Sequence, residues 1–344
     1  MLDLTESNPT RAGIVYESDV ILEALRNRES LGYEPAALGL RKAREAVAGY
    51  YGNLQPDQVL LTASTSEAYS FLFKLLCDPG DEVLVPRPSY PLFDFLARLE
   101  CVEPRQYSLR YHEGWWIDPE SVERQITDRT RAIVVVNPNN PTGSYLKRHD
   151  LECLERWGIT LISDEVFSDY GFEEDPDRVP LVAARARVPA FSLNGFSKLL
   201  GLPQMKLGWI VGNDAESMRK LEFVADTYLS VSGPVQHAAA AWLGLRERFH
   251  GQMMARLRAN LVALRRMLEP LRVEGGWCAI VPLPRTLSEE EWVLRLLEEE
   301  GVLVQPGYFY DFESEAFAVV SLLAEPSVFE EGLARMKRRM DEQG

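Results

Sequence analysis

Three observations predict an α/β fold, in which a large, mostly parallel sheet flanked by helices precedes a smaller α+β domain. Short Val- and Ile-rich runs alternate with longer amphipathic ones through about residue 228, the texture changes after Gly233-Pro234, and 344 residues make roughly two domains at about 150 residues each. The runs at 58 to 62 (QVLLT), 82 to 86 (EVLVP), 131 to 136 (RAIVVV), 159 to 163 (ITLIS), 190 to 193 (AFSL) and 208 to 212 (GWIVG) read as strands. They are short, β-branched and bounded by turn residues, and their continuous apolar character marks strands buried on both faces. Helical patterns at 66 to 76, 90 to 99, 147 to 157 and 215 to 228 fall between them. From 235 to 268 one long helical stretch is expected, with AAAAW as a close-packing segment and RLRANLVALRRML as an amphipathic one. The remainder mixes strand-like WCAIVPL, VLVQP and FAVVSLL with helices at 288 to 300 and 327 to 340. The chain therefore divides into an N-terminal segment, 1 to 30, packing on the small domain, a large domain from 31 to 232, and a small domain from 233 to 344.

Composition narrows the function. Apolar residues make up 46% and charged residues 26%, the balance of a globular chain able to bury a core. The 52 acids against 37 bases leave a net charge of -15, which repels phosphate backbones and anionic membrane surfaces. Neither nucleic acid nor a membrane is an expected partner. No apolar run reaches the ~20 residues that span a bilayer, and MLDLTESNPTRAG lacks the pattern of a secretory signal, so a cytoplasmic location is expected. Cys77, Cys101, Cys153 and Cys278 are far apart with no CxxC pair, and His112, His149, His237 and His250 have no ligand spacing. No metal site is expected.

Several catalytic signatures are missing: GxGxxG after a strand, GxxxxGK[ST], HExxH and GxSxG. SYLK at 144 to 147 matches SxxK formally, but it follows a Pro-rich turn and no KTG accompanies it. The informative segments are NPNNPTG at 137 to 143, SDEVFSDY at 163 to 170 and NGFSKLLGLPQMKLGWIVG at 194 to 212. Each follows or contains an expected strand and so places polar groups at the carboxyl end of the sheet, where open α/β sheets bind ligands. Alone, the first is an ordinary turn and the Asp-Glu pair an ordinary helix cap. Together, an Asn, an Asp and a Lys at successive strand ends are hard to explain by packing.

With these motifs, with TASTSEA, with PSYP at 88 to 91 and with QPG at 305 to 307, the chain resembles the fold type I pyridoxal-phosphate enzymes of the class I/II aminotransferase family along nearly its whole length. The resemblance implies a seven-stranded sheet in the large domain and pyridoxal 5'-phosphate as cofactor. It implies that Lys198, next to Ser197, forms the Schiff base and then moves a proton at the substrate Cα. A lysine suits both tasks, because partial desolvation lowers its pKa and leaves a neutral amine. Asp164 is implied to pair with the pyridine nitrogen and keep the ring electron-poor, Asn140 to donate to the ring oxygen, and Tyr90 to stack on the ring. Ser64, Thr65 and Ser66 correspond to the phosphate-binding helix start, although Ser64 and Glu67 also make an ordinary capping box. Tyr33 corresponds to a tyrosine reaching the phosphate from a neighbouring subunit, which implies a homodimer.

The pattern departs from the family at four places. Lys206 stands where an arginine is usual, keeping the charge without the planar fork, and Gly195 replaces a serine. Phe167 replaces a tyrosine, removing a donor to the ring oxygen. Val319, two residues before Ser321, stands where members commonly carry the arginine that clamps the substrate carboxylate. Either Arg11 supplies that charge, or neutral donors such as Asn8 and Asn140 hold the substrate, or the substrate lacks an α-carboxylate. The expected function is an aminotransferase moving an amino group between an amino acid and a 2-oxo acid by a ping-pong cycle. The alternatives are another Cα-carbanion reaction, such as C–S lysis, and a non-catalytic cofactor-binding regulator.

Overall fold

Alternation within each short run decides which way its side chains face. In the computed structural model, which describes residues 1–343, the strands are β1 (Leu2–Asp3), β2 (Val59–Thr62), β3 (Glu82–Arg87), β4 (Glu103–Tyr111), β5 (Trp115–Ile117), β6 (Thr130–Val136), β7 (Thr160–Asp164), β8 (Ala190–Gly195), β9 (Gly208–Gly212), β10 (Cys278–Pro282), β11 (Val302–Leu303), β12 (Gln305–Pro306) and β13 (Phe317–Ser321). Leu60, Val83, Val134, Ile162 and Ile210 enter one core, shared with the helices Thr65–Leu76 and Ala215–Tyr228. Their chain neighbours enter cores on the opposite face: Val59, Leu61 and Trp209 in one, Leu84, Ile133 and Leu161 in another. Both faces are covered, as the apolar runs require. Each large apolar side chain fully buried this way contributes about 1.5–3 kcal/mol.

The large sheet has the order β2-β9-β8-β7-β6-β3-β4-β5. Pairing is parallel from β8 through β4, whereas β9 runs antiparallel to both β2 and β8, and β5 antiparallel to β4. The sheet thus has eight strands where seven were expected. Strands β4 and β5 have no counterpart among the runs read from the sequence: Pro104, Arg105 and Gln106 break the apolar run of β4, and only its middle, Tyr107 to Leu109, is buried.

The second body of structure holds β13 between β10 and β12, all antiparallel. The long helix expected from 235 to 268 is two, Gly233–Leu243 and Arg246–Met267, separated at Gly244 and Leu245. The break separates two environments. Val235, Ala238, Ala239 and Trp242 of the first helix pack with the large sheet, while Met253, Leu257, Leu261 and Leu264 of the second pack under the small sheet with Trp292, Phe329 and Leu333. The N-terminal segment also contributes to both. Leu4 and Ala12 enter the core under the small sheet and β1 pairs with β11, whereas Ile21 enters the core of the large one. No helix among the described residues is long and apolar enough to cross a membrane.

Candidate active site

Because β8, β7, β6 and β3 run parallel, their carboxyl ends lie along one edge of the large sheet, and the motif residues follow from there. Asp164 closes β7, in register with Val136 at the end of β6 and Leu193 near the end of β8. Lys198 lies two residues inside a short helix, Phe196–Leu199, that begins where β8 stops. Tyr170 donates its hydroxyl to the Lys198 carbonyl at 2.6 Å, fixing that turn. The Lys198 Nζ stands 5.0 Å from the ring centre of Trp277 and 5.5 Å from that of Phe167, whose rings meet edge to face at 5.2 Å. Burial lowers the Lys198 pKa, and Cys278 and then Asp164 oppose the shift.

Asp164 has the opposite problem. Burial pushes its pKa up to about 6, and two donors resist: the Val166 amide at 3.3 Å to Oδ1 and the Tyr69 hydroxyl at 3.1 Å to Oδ2. Tyr69 is buried on the helix Thr65–Leu76, its ring edge-on to Phe93 at 5.6 Å. Desolvation raises its own pKa well above the usual phenol, so at neutral pH it remains a donor.

Asn140 leaves its Oδ1 buried without a partner. Its neighbour Asn139 fixes the loop, accepting from Ser89 Oγ at 2.8 Å and donating to the Pro88 carbonyl at 3.0 Å. Asn140, Phe167, Trp277 and Cys278 line one small cavity together.

At the neighbouring strand ends, Ser64 caps the helix Thr65–Leu76 by accepting from the Glu67 amide at 3.1 Å, so the capping box and an anion site coexist. Gly208 opens β9 against this helix start: a Cβ there would lie 3.0 Å from the Ser64 carbonyl carbon and 3.1 Å from the Thr65 nitrogen. Gly195 is opposite Gly208 in register, and a Cβ on it would come within 2.9 Å of the Leu207 oxygen. A serine at 195 therefore has no room with the chain in this position. Lys206 is exposed, one residue before that contact.

Pyridoxal phosphate presents four groups that such a site must meet. A half-buried amine, a half-buried carboxylate, the amide of Asn140, whose Nδ2 can donate, and a helix start approached by glycine match, in that order, an aldehyde, a ring nitrogen, a ring oxygen and a phosphate. The residues fit the group.

Lys198, Asp164, Asn140 and Phe167 are thus gathered, with Ser64, Thr65 and Ser66 on the adjoining strand end. Other expected residues lie apart within the single chain. Tyr90 is 47% exposed and borders a cavity of about 400 Å³ with Arg87, Asp94 and Gln106. Tyr33 is 83% exposed beside a cavity of about 660 Å³. Asn8 accepts from Thr10 in a local turn, and Arg11 is exposed beyond it. The N-terminal residue tied to the Lys198 segment is Tyr16, which donates to the Gly201 carbonyl at 2.8 Å. Sequence reasoning also missed Tyr69, Tyr170, Trp277 and Cys278. The spacing of Tyr69 from Thr65, four residues along one helix, was the available signal, whereas Trp277 and Cys278 read only as the start of a strand. Val319 is buried among Ile280 and Tyr310.

Comparison with known proteins agrees with this geometry. A family model described as aminotransferase class I and II matches residues 1–323. Tyrosine aminotransferase of Mus musculus is 28% identical over 361 residues, covering 96% of this chain and 79% of that protein. An S-alkyl-thiohydroximate lyase of Arabidopsis thaliana is 34% identical over 209 residues, covering 58% of this chain and 45% of the lyase. The solved structure of alanine aminotransferase from Pyrococcus furiosus superposes with a TM-score of 0.88 at 26% identity, over 99% of this chain and 91% of that one.

Proposed function

This chain belongs to the class I and II aminotransferases, pyridoxal-phosphate-dependent transferases of amino groups, and we propose that Lys198, Asp164 and Asn140 carry its chemistry. The observation that carries the assignment is the half-buried Lys198 amine standing at the end of the strand beside Asp164. When bound, the cofactor supplies an aldehyde that condenses with amines and a ring that withdraws electrons from the substrate Cα.

Lys198 serves as the proton carrier. Burial lowers its pKa and so favours the neutral amine, the form that can take a proton from Cα and return one. Asp164 holds positive charge at the ring nitrogen, and the Tyr69 hydroxyl and Val166 amide keep its charged form favoured against burial. Asn140 would donate from its Nδ2 to the ring oxygen. Thr65 and Ser66 amides at the helix start, with the nearby Lys206 charge, hold the phosphate. Phe167 and Trp277 wall off water around the Lys198 Nζ.

The substrates are an amino donor and an oxo-acid acceptor used in turn, in a ping-pong cycle. The enzyme acts as a homodimer in which Tyr33 reaches the partner's phosphate site; its exposure in the single chain supports this. Four unpaired cysteines support a reducing, cytoplasmic setting. The likeness to a lyase favours one second reading, cleavage of a C–S bond from the same Cα carbanion. Mixing holoenzyme with amino acids and no acceptor separates the two: transamination converts the bound cofactor to its amine form, whereas lysis releases pyruvate and ammonia. Lys198→Ala is expected to abolish both turnover and borohydride trapping of the cofactor. Trapping that persists at another lysine would overturn the assignment.

A further inference from the structure

The outer edge of the large sheet grips residues 307 to 313, in the turn between β12 and β13. Alternation along β4 sends Tyr107 and Leu109 into the core, so Gln106, Ser108 and Arg110 share the opposite face, and Arg87 of β3 pairs in register with Ser108. Two carboxylates of the turn, themselves two residues apart, meet this row. Gln106 Nε2 donates to Asp311 Oδ2 at 2.7 Å. Glu313 accepts from Arg87 Nη2 and from Arg110 Nη1, each at 2.8 Å, and from the Ser108 hydroxyl. The Ser108 hydroxyl first, and then the two guanidinium groups, hold the Glu313 carboxyl below its ordinary pKa against the opposing effect of burial. Phe312, between the two acids, sets its ring edge-on to Trp115 of β5 with the centres 6.1 Å apart.

Hydrogen bonds lead from this turn to the cofactor site. The Tyr310 carbonyl accepts from the Ser89 amide at 3.0 Å, and the Ser89 hydroxyl donates to Asn139 Oδ1 at 2.8 Å. Tyr90 follows Ser89 and Asn140 follows Asn139, so both belong to the loops that these bonds join. We propose that Glu313 is a positioning residue: by clipping the turn to β3 and β4 it seats the Tyr310 carbonyl on Ser89, and so fixes the two loops that present Asn140 and Tyr90 to the cofactor. Glu313 acts through these loops and is no part of the catalytic set. A carboxylate shared by three donors on two strands suits the task, because several charge-assisted hydrogen bonds on one group set its place more closely than a single exposed ion pair. The proposal rests on the reading of Asn140 as the donor to the ring oxygen.

Glu313→Gln keeps the shape of the side chain and removes its charge. In the cofactor-free protein, amide hydrogen exchange is expected to quicken at least about fivefold in the peptides covering 86 to 93 and 307 to 313, with β7 unchanged. Unchanged exchange at 86 to 93 overturns the proposal. The second readout is the absorbance of the bound cofactor against pH. Negative charge on the ring oxygen holds the proton on the nitrogen that Lys198 shares with the cofactor, and an amide donor draws that charge off, so a misplaced Asn140 raises the midpoint. Asn140→Ala and Glu313→Gln are both expected to raise it, the second by about half a unit. Adding Arg110→Gln to Glu313→Gln is expected to move it no further, since both act on one contact, and a further shift of similar size overturns the proposal. A midpoint that Asn140→Ala moves and Glu313→Gln leaves in place overturns the proposal alone. One that Asn140→Ala does not move overturns the reading of Asn140 and the proposal with it. Glu331→Gln, which breaks an ion pair with Arg335 within the helix Pro326–Gln343, is the control, and an equal shift there overturns the proposal in favour of a general charge effect.

Discussion

Asp164 is kept charged at a cost that the cofactor-free protein must bear. Its pKa in the folded chain is about 6, against 3.8 for the free side chain, because burial penalises the carboxylate. A raised carboxyl pKa means that the folded state binds the proton more tightly than the unfolded chain. Stability is therefore full below about pH 4 and is lost as pH rises to about 6, by about 3 kcal/mol at roughly 1.36 kcal/mol per unit. Thermal unfolding of the cofactor-free protein should show Asp164→Asn gaining on wild type between those pH values, with a constant advantage above them. An advantage independent of pH would contradict the assigned burial. Tyr69→Phe removes one of the two donors resisting that penalty. A hydrogen bond to a charged group is worth about 1.5–3 kcal/mol, so kcat is expected to fall roughly ten- to a hundredfold, with the acid limb of the pH–rate profile displaced upward. A fall in kcat with an unmoved profile would reduce Tyr69 to a packing role.

At the scale of elements, the proposed phosphate end of the site is a close approach between a strand and a helix start. Gly208 permits it, since a Cβ would meet the backbone of Ser64 and Thr65 at 3.0 and 3.1 Å. Backbone on both sides leaves nothing flexible to yield, so Gly208→Ala should push the helix start away and weaken cofactor uptake roughly tenfold, about 1.4 kcal/mol. The matched control is Gly251→Ala, inside the helix Arg246–Met267, where a Cβ meets nothing within 4 Å. That change should leave uptake unaltered and raise stability by about 0.5–1 kcal/mol, through helix propensity alone. Cofactor titration with thermal unfolding of both variants checks the pair.

For the whole molecule, two exposed apolar side chains beside one cavity mark a face that a neighbour would cover. Leu31 is 91% exposed and Tyr33 83%, beside a cavity of about 660 Å³ that also takes in Leu229, Pro234 and His237. The proposed homodimer would cover this face. Sedimentation of wild type is expected to give a dimer, and Leu31→Glu to shift it toward monomer with weaker cofactor retention. A fully active monomer would rule out any role for Tyr33 across subunits.

The sequence by itself determined the α/β class and six of the eight strands of the large sheet, and it singled out Lys198, Asp164 and Asn140, which lie at neighbouring strand ends. These follow from local pattern: short β-branched runs are buried on both faces, and polar motifs immediately after them land at strand ends. Tertiary structure decided the rest. Strand β4 was hidden because its pairing with β3, and not its own composition, makes it a strand. The helix break at Gly244 and Leu245 follows from two cores meeting there, which no local period records. Tyr69, Trp277 and Cys278 join Asp164 and Lys198 from 95 and about 80 residues away in the chain, so their proximity is a property of the packed sheets. So is the packing of Val319 against Ile280 and Tyr310, three buried side chains that separate segments bring together as the sheets pack.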